Sequence, residues 1–498
     1  MFKGRIANYR PIVIVAIAIA IGIVIGALAM KNAIAFYVLL PVLVVATAVL
    51  LFFKFKTPKL ISIFLLVGFL LMSLYTVIAK PIEVDRQNVY FEGRVCDVSD
   101  VTTESKEYVL SELTIGGVKY PRKASIRTNE NLEVGDIVSF IGDVQSIDFD
   151  PFDGISVASI SKGINYQAYS SIINVIGKDR LTLSETIKTK LSSIYREYMG
   201  DLDGGIALGL VLSDTEHIDY STTRDMRASG LSHLFSVSGL HVGFMCTLIY
   251  GAFRLFKLNK RKSLFVVIGI LLAYGILTGF PVGVVRASIM SVAILVAEFI
   301  DERNDPLNSL AFATIVILLI SPIELFSVSF QLSIGAVFGI VCFYRSMMKP
   351  FEYGNRFSKS VMGSVAVSVS ANAFVLPIAT NVFGTFALYF IIANVIAVPI
   401  SSVVYGALVP LSLLALIFEP LGILTIPLRF PIMAIRIIAG GIATLPFSVI
   451  NFYTPMLSGL FYSLGMVVLS RFYMGSKKSK IIICTLSFIA CALIFFTF

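Results

Sequence analysis

Two of the chain's three histidines, two serines and two glycines fall within eleven residues, HLFSVSGLHVG, spanning His233 to Gly243 in a run otherwise apolar enough for a bilayer. At 3.6 residues per turn, His233 and Ser236 lie about 60° apart on a helix, with His241 about 80° to the other side of His233. All three can then share one polar face. Intramembrane ionisable groups are costly and usually face a bundle interior or a wet cavity, so one reading is a polar lining. A second is helix packing, since Gly239 and Gly243 form the G-x-x-x-G pattern that admits a close neighbour. A third is nucleophilic chemistry, with Ser238 before Gly239 as nucleophile and His241 or His233 as base. That reading needs a break in the segment, and no acidic residue within it orients the base.

Other polar groups interrupt apolar runs further on. In TGFPVGVVRASIM a helix opens at Pro281 and carries Arg286 about one to two turns in, near enough to its mouth to grip a phosphate bidentately or to snorkel to headgroups. Gln331 and Ser333, in FQLS, supply an amide and a hydroxyl to line a pore or bond a neighbour. Asn394 and Pro399 interrupt a long apolar run, where a broken or re-entrant helix is expected. Elsewhere, KYPRKASIR gathers Lys119, Arg122, Lys123 and Arg127 around Tyr120, the ingredients of a groove in which cations hold phosphates and a ring stacks a base. A solvated β-face explains the same residues.

The elements that position these groups follow from composition. Of 498 residues 57% are hydrophobic and 14% charged, and apolar runs repeatedly reach the length of about 20 that crosses a bilayer. Residues 11–30, 33–53 and 60–79 read as three permanent spans, the first being too long for a signal peptide. From residue 85 to 178 the pattern changes to short β-type runs broken by Gly, Asn and Asp, fitting about five strands of a small OB-type barrel. Residues 183–200 form an amphipathic helix expected to lie on the membrane surface. Residues 201–475 make a second transmembrane unit, and 481–498 a last span. The fold expected is a polytopic α-helical membrane protein of about 11–13 membrane segments, with an inserted extracellular β-barrel. Its orientation rests on lysines 54, 56 and 59 and the KLNKRK stretch, placed in the cytoplasm.

Charge and side-chain counts narrow the chemistry. Residues 85–178 carry nine Lys or Arg against fourteen Asp or Glu, so the excess behind the net charge of +9 lies in the membrane part. Basic pore mouths for a polyanion and the positive-inside rule both produce such an excess. Five dispersed cysteines and three histidines do not form a zinc site or a two-metal centre, so no metal or cofactor is expected. No Walker-type Gly-Lys-Ser/Thr motif is present, and a driving force has to come from another protein.

Six stretches taken in order, GLVLSD (209–214), HLFSVSGLHVG, TGFPVGVVRASIM, DPLNSLAF, FQLSIGAV and NVIAVPI, resemble the membrane domain of the ComEC DNA-uptake family. The β region, closing with FDPF and SKGINYQAY, resembles that family's N-terminal OB-type domain. The resemblance implies a non-enzymatic channel in the bacterial inner membrane that admits one strand of transforming DNA. It also implies a DNA receptor outside, a motor or single-strand-binding protein inside, lipid contact and a possible homodimer. Many members continue into a metallo-β-lactamase-like domain, whereas this sequence stops at Phe498, so a separate nuclease is expected if the second strand is degraded. An intramembrane serine hydrolase and a small-solute or metal transporter are the alternatives.

Overall fold

The computed structural model describes residues 10–52, 56–80, 86–100, 106–170, 172–214, 218–235, 241–243, 245–246, 249, 260–299, 305–473 and 475–497. Among them, seven helical stretches are long and apolar enough to cross a membrane, and five shorter apolar helices have 10–17 residues. Their outward faces are apolar, with Val42, Val45, Val403 and Leu493 each more than half exposed. Such inverted polarity suits lipid rather than water. The chain is a helical membrane protein with a β-barrel inserted after its third helix.

Helices α1 (Pro11–Met30), α2 (Ala33–Phe52) and α3 (Lys56–Ala79) open the chain. α1 and α3 cross so closely that a Cβ at Gly22 would lie 2.1 Å from the Leu65 carbonyl oxygen, and one at Gly68 2.2 Å from that of Ile19. Only glycine permits this backbone approach.

The barrel follows as β1 (Arg86–Asp100), β2 (Lys106–Ile115), β3 (Val118–Tyr120), β4 (Lys123–Thr128), β5 (Asp136–Ser146), helix α4 (Gly154–Ser161), β6 (Ile164–Tyr169) and β7 (Asn174–Lys178). Strands pair in the order β1-β2-β4-β6-β5, and β5 returns to β1, which closes five strands into a ring. β4 and β6 are parallel and the other pairs of the ring antiparallel. β3 and β7 are additions, pairing with β2 and β5. Along β2 the inward residues run Tyr108, Leu110, then Leu113 and Ile115. The change of parity falls at Glu112, whose φ of 54° lets one extra residue bulge out and return the following side chains to the core. Phe91 and Phe140 stack inside at 4.7 Å between ring centres.

The barrel is fastened to the helices at three places. Arg122 donates to the Ile78 carbonyl (3.1 Å) and Asn165 to that of Ala79 (3.3 Å), satisfying acceptors that the end of α3 leaves free. The FDPF stretch docks on α1 and the turn at Pro322–Phe326, where Lys31 pairs with Asp150 at 3.0 Å and Phe152 meets Phe326 edge-on at 5.3 Å. Arg94 reaches across to α5 (Leu183–Met199) and binds Glu185.

α5 departs from the expected surface helix. Its apolar stripe, Leu191, Ile194, Tyr195 and Met199, is buried in the largest core cluster rather than left for lipid. That cluster joins α5 to α6 (Asp201–Leu212), α7 (Tyr220–Ala228) and later helices. Further helices bounded among the described residues are α8 (Lys260–Thr278), α9 (Val282–Phe299), α10 (Pro306–Ile320), α11 (Val328–Met348), α12 (Arg356–Phe383), α13 (Phe390–Ile417), α14 (Arg429–Ala443), α15 (Met456–Leu469) and α16 (Lys477–Thr497), and His241 lies in a helical stretch between α7 and α8. The break expected at Asn394 and Pro399 is absent, since α13 runs unbroken through Pro399 and Pro410. Proline survives inside a membrane helix where neighbouring helices, hydroxyls and local adjustments absorb the lost bond. Here Pro399 is exposed, and Ser401 and Ser402 both bond back to the Val398 carbonyl, at 2.9 and 2.8 Å.

Candidate functional site

A cavity of about 1000 Å³ lies between the barrel and the helices. The polar stripe of α5 forms one wall, with Glu185, Lys188, Thr189, Ser192 and Arg196 at helical spacing after the capping residue Thr182. Opposite stand Lys123 from β4 and Lys162 from the end of α4. The third side consists of element ends: Asp214 just after α6, Thr278 to Pro281 between α8 and α9, and Glu324, Ser327 and Ser329 around the start of α11. Two of the sequence's motifs, GLVLSD and TGFPVGVVRASIM, and the residues just before a third, FQLS, therefore reach one space through helix termini, where unpaired backbone groups add further polarity.

Most of the charge around it is already matched. Lys178 pairs with Glu133, Arg196 with Asp201 at 2.7 Å, and Glu185 with Arg94 at 2.6 Å. The side chains of Lys123, Lys162 and Lys188 form no hydrogen bond or ion pair among the described residues, which leaves three cations facing hydroxyl-rich walls. Burial pushes the Glu185 carboxyl up, but hydrogen bonds from Arg94 and Thr182 oppose it and hold the group below its ordinary value. Desolvation raises the Glu324 carboxyl, against a weaker opposing hydrogen bond from Ser327.

From this cavity a chain of buried polar side chains leads into the bundle. Tyr274, one turn before the cavity-lining Thr278 on α8, donates to the Val211 carbonyl on α6 at 2.8 Å. Tyr405 of α13 donates to the Tyr274 hydroxyl at 3.3 Å. His241 packs edge-on against Tyr405, ring centres 4.5 Å apart. All three are buried.

The residues singled out by sequence divide accordingly. Ser236, Ser238 and Gly239 lie outside the described residues. His233 is exposed and contacts the Gly230 carbonyl through Nδ1 at 3.1 Å. A Cβ at Gly243 would meet nothing within 4 Å, and its G-x-x-x-G partner Gly239 lies outside the described residues; close backbone approach at glycine is seen at Gly22 and Gly68. Arg286 is 5% exposed, with Nε and Nη1 buried and without a hydrogen-bond partner among the described residues; it does not open onto the cavity as a mouth residue would. Gln331 donates to the Leu325 carbonyl at 3.1 Å and braces the turn before α11, with Ser333 half-buried two residues on. Asn394 donates to Ser368 of α12 at 3.4 Å, a link between helices.

The basic group on the barrel does not form the expected groove. Tyr120 is 8% exposed and packs edge-on against Tyr166 in the barrel core, so its ring is not free to stack a base. Arg122 is committed to α3, Arg127 lies 3.6 Å from Glu107, and Lys119 is exposed on β3. Lys123 alone of the five lines the cavity. Sequence reasoning missed Tyr274, Tyr405, Lys162 and Lys188. The polar stripe of α5 was visible as periodicity, but nothing in one sequence says that it faces a cavity.

The competence protein family profile matches residues 210–477, just over half of the chain. The chain belongs to this family. Among its relatives are ComE operon protein 3 of Bacillus subtilis, 28% identical over 43% of this chain, and Recombination protein 2 of Haemophilus influenzae, 26% identical over 52%. An uncharacterised Escherichia coli protein, YcaI, is 24% identical over 49%. The matched segments cover 27%, 36% and 34% of those three proteins. No solved structure matches the chain. The family match begins inside α6 and takes in Asp214, Thr278 to Pro281, Glu324 and Ser327, so that side of the cavity lies in the matched part of the chain, while the α5 wall precedes it.

Proposed function

We propose that this competence protein is a conduit of the bacterial inner membrane through which a single strand of DNA is internalised. The barrel lies on the outer side, and the space between barrel and helices is its entry vestibule. The observation that carries this reading is the vestibule itself, about 1000 Å³ of hydroxyl-lined space with three unmatched lysines, where motif ends of the family's membrane domain converge. A path for a polyanion has to hold phosphates without trapping them, which a few cations among many hydroxyls achieve better than a dense basic wall. A receptor presents DNA outside, and a cytoplasmic motor or single-strand-binding protein draws it in. A homodimer is compatible with this arrangement.

An intramembrane hydrolase is less well supported, because His241 is buried with its ring edge-on against Tyr405, part of a packed aromatic cluster. A small-solute transporter leaves the barrel over the vestibule without a task.

The test is uptake of labelled single-stranded DNA into vesicles holding the purified chain, with a strand-capturing protein inside. Replacing Lys123, Lys162 and Lys188 together with Gln should weaken DNA binding and lower the slope of log affinity against log salt by about 2, from about 0.7 per phosphate contact. Ser238→Ala should leave uptake intact. Unchanged affinity and slope in the triple variant would remove the vestibule from the path, and total loss with Ser238→Ala at normal abundance would favour the hydrolase.

A further inference from the structure

We propose that Tyr274, Tyr405 and His241 form the closed gate of the conduit, and that the moving element is the stretch of α13 between its two prolines. The inference rests on the translocation reading, but its physical basis is separate. The three side chains come from three different segments and meet one helical turn from the vestibule wall at Thr278. Thr278 lines the vestibule, and Tyr274 lies four residues before it on α8, about 6 Å away along the helix. Asp214 also lines the vestibule, and Val211, three residues earlier, offers the carbonyl that accepts the Tyr274 hydroxyl at 2.8 Å. The chain of contacts then runs inward to Tyr405 at 3.3 Å and to His241 at 4.5 Å between rings. With exposures of 6%, 1% and 3%, all three groups are buried.

A plug of this kind suits its place. Aromatic rings fill the lumen and exclude water and ions, while a short series of hydrogen bonds holds them at modest cost to break. The rings are also groups on which a passing base can stack once they part.

Mobility is built in around Tyr405. Pro399 lies six residues before it and Pro410 five after, and each removes one backbone hydrogen bond from α13. Ser402 bonds back to Val398 at 2.8 Å and Ser412 to Leu408 at 2.5 Å, a side-chain pattern that also bends helices. A helix weakened on both sides of one residue can swing that residue while its ends stay packed. This gives Pro399 a role in an unbroken helix, as one of two hinges.

The experiment measures ion leak from vesicles containing the full chain without DNA, then DNA uptake by the same vesicles. Tyr405→Phe keeps the ring but removes one hydrogen bond of the plug and should raise leak about five-fold, the factor one net hydrogen bond is worth, whereas Tyr274→Phe removes two, its own to Val211 and the one it accepts from Tyr405, and should raise leak about 25-fold. A second arm locks the gate. Tyr405→His places a second imidazole beside His241, and with rings near the present 4.5 Å two nitrogens can hold one Zn²⁺ at about 2 Å each. Micromolar Zn²⁺ should then abolish both leak and uptake, reversibly on chelation, while leaving wild type and the Tyr405→His, His241→Ala double variant unaffected. Wild-type leak in both Phe variants, or Zn²⁺-insensitive transport by Tyr405→His, overturns the gate. Because leak is read without DNA, a wrong substrate leaves the leak arms responding, and a wrong gate leaves wild-type DNA uptake unaffected.

Discussion

Arg94→Met should loosen the barrel from α5 by an amount the structure allows one to work out. Arg94 donates from Nη1 to Glu185 Oε1 at 3.0 Å and from Nη2 to Oε2 at 2.6 Å, and Nη2 also reaches the Arg180 carbonyl at 3.3 Å. The two side chains are 8% and 14% exposed, and Glu185 is also the third residue of the capping box that starts α5. Removing one partner of a buried bidentate pair costs about 3–5 kcal/mol. The accessible edge of Glu185 favours the low end, about 3 kcal/mol, or roughly 100-fold in the docked equilibrium. Hydrogen exchange of the full chain in detergent is the assay, read at the amides of Thr182 to Thr186. These should open roughly 100-fold more often in Arg94→Met than in wild type, with the barrel's own strand amides unchanged. The pH dependence has a definite sign. The folded Glu185 carboxyl lies below its ordinary 4.5, so the clamp's contribution is complete above that pH and is lost as pH falls through the folded value. Protection at these amides should be flat from pH 7 to pH 5. A loss of protection within that window, or an Arg94→Met effect below about 0.5 kcal/mol, the size of an exposed pair, would refute the clamp.

Two further outcomes test the architecture. Lys123→Cys should react with a membrane-impermeant thiol reagent in intact cells while Lys260→Cys should not, and the opposite pattern would invert the proposed orientation. Gly68→Val should reduce the inserted protein severely, since even a Cβ would sit 2.2 Å from the Ile19 carbonyl oxygen, whereas Gly243→Ala, which meets nothing within 4 Å, should preserve abundance; near-equal membrane levels would refute the close α1–α3 crossing.

The membrane class and the β insertion were legible because both rest on short-range pattern. Runs near 20 apolar residues and alternating β segments appear in any window. What failed involved partners. Tyr120 read as an exposed ring among cations, yet its strand pairs so that the ring meets Tyr166 in the core. α5 read as a lipid-surface helix because its apolar stripe had no visible partner, and the partner lies in helices many residues later. Pro399 read as a break because a helix in water does not tolerate an interior proline, whereas a buried membrane helix has other groups to absorb the loss. Gly22 and Gly68 went unremarked among many glycines, since only the crossing of α1 and α3 makes them necessary.

The same contrast explains why the functional motifs mark a place better than they mark roles. A membrane helix is apolar along most of its length, so its sequence can carry distinctive polar residues chiefly at its ends and at the few interior points where helices exchange hydrogen bonds. Asp214, Thr278 and Ser327 are of the first kind and meet at the vestibule. Gln331 and Asn394 are of the second, donating to the Leu325 carbonyl and to Ser368. His241 belongs with Tyr405 and Tyr274, which carry no motif because a lone tyrosine in an apolar run looks like packing. Arg286 fits neither kind, being buried with two nitrogens unmatched. A guanidinium left so is costly, and its burial beside Val284 and Ala287 sets it inside the bundle rather than at the mouth where sequence placed it.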